Sequence, residues 1–337
     1  MFPEMASPPR LDIVIVNWNS GPQLRRCLES IVTVDRTGFE LARVVVVDNG
    51  SIDGSLGGIR DLDLPLTLIE LGLNAGFAAA CNAGAKGSAA DHILFLNPDA
   101  ALYRDSLSRP LAFLAAPENA AIGILGVQLV DDQADVSRTC ANFLRPRHII
   151  AHTTGLNHLL PSVFPQHFMI DFDHRSSRVV DQVMGAFFLM RRHVLEGLGG
   201  WDERFFVYLE DVDLAYRAYL NGWKSYFFAE VRVFHRGGGV SRQVKAARLF
   251  YSLRSRILYA FKHFHPAVAL LVLVGTLAIE PMTRIVYAAL GNSPTSSGET
   301  VKAYWLLLRD LPSVLSLAWT LRHHADTPAR ALRPAGR

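Results

Sequence analysis

The sequence is poor in several features that would classify it at once. It has three cysteines, Cys27, Cys81 and Cys140, in 337 residues. They are far apart, form no C-x-x-C pair and suit neither a disulfide framework nor a thiolate metal site, so a reducing compartment is expected. No G-x-G-x-x-G follows the first apolar segment and no G-x-x-x-x-G-K-[ST] is present, which counts against a dinucleotide-binding fold and a P-loop enzyme. The amino-terminal "MFPEMASPPR" lacks the apolar core of a secretory signal. Charged residues make up 19% of the chain and the formal charge is +3, too small a footprint to argue for nucleic acid. Even in the apolar C-terminal third, the uninterrupted run Ala267 to Ile279 is 13 residues, short of the roughly 20 that span a bilayer.

What is present is apolar surface to bury. Apolar residues reach 50% and the mean hydropathy is +0.18, high for a soluble chain long enough for one large domain with appendages. "LDIVIVNWN" (11–19), "ARVVVVDNGS" (42–51), "LTLIEL" (66–71) and "HILFLNPDA" (92–100) each open with a short apolar run, the mark of a strand buried on both faces. Helical patterns in "GPQLRRCLESIVTV" and "FAAACNAGAKGS" alternate with them. This order predicts an α/β fold with a mostly parallel sheet flanked by helices. In such sheets ligands bind at the carboxyl ends of the strands. Asn17, Asn19, Asp48, Asn49, Asn97 and Asp99 all end strands and so crowd one edge.

Further along, 120–131 and 182–192 read as strands, 138–178 as a long loop region, and 225–241 as a strand running into a glycine triplet. Residues 1–245 are expected to form the catalytic domain. Residues 246–323 follow as an apolar helical extension, with Arg248, Arg254, Arg256 and Lys262 ahead of the apolar run. That combination suits a helix lying in an anionic membrane face, and a helical pair buried against the domain or a second subunit is the competing reading. "GNSPTSSGET" (291–300) reads as a flexible linker and 324–337 as a disordered tail.

Chemistry concentrates in three places. Asp48 ends a buried strand, where its carboxylate can accept a pyrimidine ring N–H, and Asn17, Asn74 and Asn82 can supply amide contacts while Gly76 admits close backbone approach. Local turn and cap chemistry explains each of these singly. "NPDA" (97–100) puts an acid on the loop after a buried strand, suited to Mg²⁺ or Mn²⁺ alongside substrate phosphates; His235, ending "VRVFH", is either a further ligand or a structural histidine. Third, "FFVYLEDVDLAYRAYLNGW" (205–223) sets Glu210, Asp211 and Asp213 at the start of a helix closed by Asn221-Gly222. Asp213 lies four residues before Arg217 and reads as its ion-pair partner. Glu210 or Asp211 is then free to face the cleft as a base.

Seven pieces in sequence order carry a resemblance: "VIVNWNS", "VVVDNGSIDGS", "LGLNAGFAAACNAG", "LFLNPDA", "GAFFLMRR", "GGWDERFFVYLEDVDLAYRAYLNGW" and "VFHRGGGVS". Over roughly residues 10–245 the sequence resembles the inverting family-2 nucleotide-sugar glycosyltransferases of the GT-A fold, within them the bacterial rhamnosyltransferase-like branch. The resemblance implies a metal-dependent transferase using Mg²⁺ or Mn²⁺ and a nucleoside-diphosphate sugar. Asn17, Asn19 and Asp48 would hold base and ribose, and Asn74, Gly76 and Asn82 a second nucleotide segment. Asp99 would bind metal as the last position of the family's D-x-D, with His235 as further ligand. Asn97 stands at the first D-x-D position, which removes one formal charge from the site. Asp211 would be the general base and Glu210 would position it or the acceptor. Gly185 to Arg191 and Trp201-Asp202 would wall the acceptor side. Ser241 and Arg242 would lie in a loop closing over the diphosphate.

The implied partners are a glycan or polyprenyl-linked acceptor and a membrane surface, with a homodimer through the C-terminal helices as the other use of that surface. The implied location is cytoplasmic, peripheral on the inner membrane face. Two alternatives stand beside this reading: a non-catalytic nucleotide-sugar-binding scaffold, given Asn97, and a sugar nucleotidyltransferase, which would carry a basic glycine-rich loop where "NWNSGPQL" is neutral.

Overall fold

The computed structural model describes residues 7–323 apart from 161, 165, 238–244 and 290–295. Its centre is one nine-stranded sheet. In chain order the elements are β1 (Arg10–Asn17), α1 (Pro22–Val32), β2 (Glu40–Asp48), β3 (Leu66–Glu70), α2 (Phe77–Ala85), β4 (His92–Leu96), β5 (Ala100–Leu102), α3 (Ser108–Ala115) and β6 (Ile122–Val130). There follow α4 (Pro146–Thr154), α5 (Leu156–Leu159), β7 (Arg178–Val180), β8 (Phe187–Arg191), α6 (Arg192–Gly197), α7 (Glu210–Leu220), β9 (Lys224–His235) and α8 (Lys245–His263). Two long helices complete the described chain, Pro266–Ala289 and Ser297–His323.

The strand order is β3-β2-β1-β4-β8-β6-β9-β5, with β7 also on β9. β3, β2, β1 and β4 run parallel, as does the β6–β9 pair. β8, β5 and β7 enter antiparallel. The parallel character expected of the sheet is therefore that of its amino-terminal half. The apolar runs explain why: β1, β4 and β6 are buried over nearly their full length, so both faces need cover. One face packs on α1 through Leu24, Leu28 and Ile31, and the other on α2 and α7 through Ala80, Cys81, Leu214 and Ala215. Each buried Leu or Ile among them contributes roughly 1.5–3 kcal/mol of transfer free energy. The order reverses between β1 and β4, so a crevice opens at their carboxyl ends.

Three expectations need correction. Residues 138–178 are not one long loop. Pro146 sits at the first turn of α4 and Gly155 closes it in the left-handed region (φ 76°); the density of His and Arg hid a helix that buries His148, Ile149, Ala151 and Thr153. The 291–300 linker is helical from Ser297, where the Ser296 hydroxyl accepts the Glu299 N–H at 3.3 Å as an N-cap. The 13-residue apolar run belongs to a helix of 24 residues, Pro266–Ala289. Its segment Gly275–Ile279 widens into a π turn. Such a turn absorbs the carbonyl that Pro281, lacking an N–H, leaves unpaired. The expected tail, 324–337, lies outside the described residues.

The helical extension is tied to the sheet domain by charge. Asp213 is 0% exposed. It accepts Arg217 at 2.7 Å, Lys262 at 2.6 Å and His263 at 2.7 Å. Lys262 also reaches Asp202 at 2.6 Å, which Arg204 holds at 2.7 Å. The Ser255 hydroxyl donates to the Val207 carbonyl at 2.8 Å and Arg254 to that of Arg204 at 3.1 Å. Phe205 and Val212 share a buried cluster with Leu253, Ile257 and Leu258 of α8. Burial raises the Asp213 pKa, but the Arg217 charge and the His263 and Lys262 contacts outweigh it, and the carboxyl lies well below the usual range. A depressed native pKa gives stability that is present above the unfolded value of about 3.9 and is lost as pH falls toward the native one. Asp213→Asn should therefore cost about 3–5 kcal/mol in urea unfolding, since it leaves Arg217 and Lys262 without their shared buried counter-charge. It should also flatten the loss of stability on acidification below about pH 4; a variant as stable and as acid-sensitive as the parent would contradict this.

Candidate active site

The crevice at the carboxyl ends of β1, β2 and β4 gathers the candidate residues into groups. The first is a carboxylate cradle. Asp48 is 4% exposed. Its Oδ1 accepts the Asn17 amide at 2.9 Å and its Oδ2 accepts the Ser51 N–H at 3.1 Å. The Asn17 amide also reaches the Ser51 and Ser55 hydroxyls at 3.0 and 2.8 Å, and its oxygen accepts the Ser20 hydroxyl. Asn17 is fully buried and its hydrogen-bonding groups are used within the protein. Its observed work is to aim Asp48, a positioning task. Asn19 (φ 49°) accepts the Ile52 N–H at 2.8 Å, stapling the two strand-end loops together. Ser20, Ser51 and Ser55 carried no assignment from the sequence; their only signal was their place beside Asp and Gly in turn-forming stretches.

The second group lies along the loop into α2. Asn49 accepts the Ala75 N–H at 2.8 Å and donates to Asn74 at 3.0 Å, while Asn74 accepts the Gly76 N–H at 3.1 Å. Gly76 has φ 93°, and a Cβ there would stand 2.6 Å from the Phe206 carbonyl oxygen. That carbonyl accepts the Phe77 N–H at 2.6 Å. The close approach Gly76 permits is thus that of the segment leading to the acidic helix. Asn82 is likewise engaged: it donates to the Trp201 carbonyl and to Glu203, at 2.9 and 2.8 Å, and accepts the Trp201 N–H at 2.9 Å. Trp201 sits in a ring of Phe77, Phe95 and Phe188. In this structure Asn74, Gly76 and Asn82 hold the 201–206 segment against α2.

The third group pairs an acid with an imidazole. Asp99 follows β4, and the adjacent Ala100 is registered against His235 in the β5–β9 pair. The Asp99 carboxylate and the His235 Nε2 lie 3.3 Å apart, with side chains 12% and 10% exposed. Asn97 is half-buried beside them, and its N–H donates to the Ala186 carbonyl at 3.0 Å. One carboxylate oxygen and one imidazole nitrogen converging from neighbouring strands is a donor set that suits Mg²⁺ or Mn²⁺. No group of three or more His, Cys, Asp or Glu is found among the described residues, so a cation here would draw its other ligands from substrate oxygens and water. Cys27 lies behind Asn97, its Sγ 3.6 Å from the Asn97 carbonyl. Burial, reinforced by the Asp99 charge, pushes its thiol far up, so it is no thiolate ligand. Ser241 and Arg242 lie outside the described residues.

The fourth group is the start of α7. Tyr208 and Leu209 both have positive φ, 69° and 64°. Such conformations cost about 1–3 kcal/mol each and need support from their surroundings. They turn the chain sharply into the helix. Asp211 accepts the Gln182 amide at 2.9 Å and the Gly185 N–H at 3.2 Å on Oδ2, and the Val212 N–H at 2.8 Å on Oδ1. Its pKa is raised by burial, against the lowering effect of these donors. Glu210 is 7% exposed and its Oε2 has no partner; burial first, then the Asp211 charge, lifts its pKa well above the ordinary glutamate value. Two adjacent acids with different surroundings titrate as a pair. Glu210 is driven further toward its neutral form, while the three donors favour the ionised form of Asp211 against its burial. Gly185 and Ala186 link this acid to Asn97, so the loop of Asp99 and the start of α7 share one short segment. Gln182, which aims Asp211, was not singled out in the sequence; nothing in a lone glutamine ahead of a strand marks it.

The sequence model of the family described as "Glycosyltransferase like family 2" matches residues 8–257. The chain is 28% identical over 244 residues to the N-acetylglucosaminyl-diphospho-decaprenol L-rhamnosyltransferase of Mycobacterium tuberculosis, covering 67% of this chain and 75% of that one. It is 26% identical over 172 residues to rhamnosyltransferase WbbL of Escherichia coli, covering 50% and 61%. In fold it is similar to the mannosyltransferase PcManGT of Pyrobaculum calidifontis, solved with GDP-Man and Mn²⁺, with TM-score 0.52, 19% identity and 95% and 89% of the chains covered. The S. aureus TarS 1–349 structure with UDP-GlcNAc gives 0.51, 16%, and 94% and 91%.

Replacing Gln182 by Ala deletes a donor to the charged form of Asp211 and should raise its pKa further. The carboxyl carbon shift followed by NMR across a pH titration reads this directly; an unmoved or lower pKa would refute the positioning role.

Proposed function

Because the chain belongs to glycosyltransferase family 2, we propose that it is an inverting transferase. It moves rhamnose or a related deoxysugar from a nucleoside diphosphate to a hydroxyl of a polyprenyl-diphosphate-linked glycan. The product is built into a cell-wall or surface polysaccharide at the cytoplasmic face of the membrane. The rhamnosyltransferase names of its relatives support the donor class, and the decaprenol-linked substrate in one of those names supports the acceptor. The observation that carries the chemistry is that Gly185 bonds the Asp211 carboxylate while its neighbour Ala186 accepts the Asn97 N–H, so the loop leading to the Asp99–His235 pair and the start of α7 are tied to one segment.

In this reading Asp48, aimed by Asn17, receives the ring N–H of the base. Asn19, Asn74, Gly76 and Asn82 act at one remove by shaping the loops around it. Asp99 and His235 would hold Mg²⁺ or Mn²⁺, with the neutral Asn97 beside them; that cation supplies charge neutralisation to the diphosphate. Asp211 accepts the proton of the acceptor hydroxyl. The oxygen forms its bond to the anomeric carbon from the face opposite the diphosphate, the bond to the diphosphate breaks, and the leaving group takes the electron pair. One ionised carboxylate suffices for this single displacement, unlike the paired acids of glycosidases. Glu210, neutral beside it, holds down the local negative charge. Ser241 and Arg242 remain candidates for the diphosphate. The catalytic unit is read as residues 1–245 and the helices of 246–323 as an extension docked on it.

Asp211→Asn should abolish transfer while donor binding, followed by melting-point shift, stays within a few-fold. Asp99→Ala should lose the melting-point rise that a nucleoside diphosphate with Mn²⁺ gives the parent, since only ligand bound to the native state raises it. Turnover surviving in the first variant, or an undiminished Mn²⁺-dependent shift in the second, would overturn these roles.

A further inference from the structure

The Pro266–Ala289 helix is amphipathic the wrong way round for water. Every strongly exposed residue along its 24 positions is apolar, among them Leu270, Leu271, Val274, Met282, Ile285 and Val286. Its polar side chains Thr276 and Glu280 are 0% exposed and face the protein. The Ser297–His323 helix adds a second outward stripe, Val301, Trp305, Leu308, Leu315 and Trp319, at spacings of three, four and seven. A monomer in water rarely leaves apolar faces of this extent uncovered.

Charge decides what covers them. Among the described residues of the extension, the strongly exposed charged side chains are Lys245, Arg248, Lys302 and Arg309, all cations, while Glu280, Glu299 and Asp310 are buried or half-buried. Arg309 stands over the Trp305 ring at 5.6 Å. Apolar faces whose strongly exposed charges are all cations, with tryptophan among them, match the interface of an anionic bilayer. Two copies of this surface pressed together would oppose like charges.

The helix is about 36 Å long at 1.5 Å per residue, enough to cross a bilayer. Its buried side forbids that course. Glu280, in its interior, bonds Arg256 of α8 at 2.6 Å and Arg284 at 2.7 Å. The Thr283 hydroxyl donates to the Thr153 carbonyl of α4 at 3.0 Å. α8 is in turn held by Asp202 and Asp213 of the sheet domain. A spanning helix would drag this ionic cluster, α4 and α8 into hydrocarbon or break the cluster apart, and either is costly.

We propose that Pro266–Ala289 lies in the plane of an anionic membrane, its outward face sunk in one leaflet and its Glu280 face on the protein, without crossing. The proposal deepens the membrane-surface part of the function above and does not depend on which sugar or acceptor is used.

The test uses the full chain with vesicles of phosphatidylcholine, alone and mixed with phosphatidylglycerol. The parent should sediment with the mixed vesicles, bind them far better than the neutral ones, and be released by alkaline carbonate. Leu271→Glu combined with Val274→Glu and Val286→Glu should weaken that binding roughly tenfold or more, since the buried apolar area is lost. These positions are exposed in the structure, so the melting point and its shift with nucleoside diphosphate and Mn²⁺ should be unchanged, which separates failure here from failure of the transferase reading. Three results would overturn the proposal. One is equal binding to neutral vesicles. Another is a carbonate-resistant protein cleaved by protease from both sides of the bilayer. The third is a dimer that the triple substitution splits, with no vesicle binding at any stage.

Discussion

A single buried carboxylate organises the working end of this molecule. Asp213 has no exposure, and Arg217 of its own helix, with Lys262 and the His263 imidazole from the end of α8, converge on it. A lone charge in that position would cost several kcal/mol, and the cluster is stable only because every member is paired. Its consequence is geometric. The start of α7 is fixed two residues upstream, with Tyr208 and Leu209 held at positive φ and Asp211 delivered to Gln182 and Gly185. The extension that carries Lys262 and His263 is therefore a structural support of α7 as well as an apolar surface.

Three acids within four positions do three jobs because their surroundings differ. Asp213 is surrounded by cations and is driven toward the charged form. The pKa of Asp211 is raised by burial, and its three hydrogen-bond donors offset part of that effect. Glu210 finds no partner for one oxygen and is driven toward the neutral form. The same logic reshapes the amide-rich strand ends. Asn17, Asn49, Asn74 and Asn82 spend their hydrogen bonds on the protein, Asn17 on aiming Asp48 and the others on the loops around α2. An asparagine with all its partners inside the fold is scaffold, and its rigidity is its contribution to binding.

The extension solves a related problem at a larger scale. A bilayer offers no partners to backbone or charge, so a helix that must touch lipid and also bond to protein has to divide its faces. Pro266–Ala289 does this with its outward residues all apolar and Glu280 locked to Arg256 and Arg284 on the other side. Because α8 joins that ionic lock to the one at Asp213, the outward apolar surface and the acids at the start of α7 belong to one continuous block of contacts.

Local pattern was enough to reveal the strands of the parallel half, the acids at their ends, the Asp213–Arg217 pair and the family. Buried strands are written as contiguous β-branched runs, turns as Asp-Asn-Gly, and an i,i+4 pair needs only helical periodicity. What stayed hidden depends on contacts distant in sequence. Gln182 gains meaning only when the segment ahead of β8 passes α7, and Asn82 only when Trp201 folds back over α2. His235 meets Asp99 only through the antiparallel pairing of β5 with β9. The direction in which the last helices turn their apolar faces is likewise decided by Glu280, whose partner lies 24 residues away. Periodicity records which residues share a face; which face turns inward is set by the partners that the tertiary fold supplies.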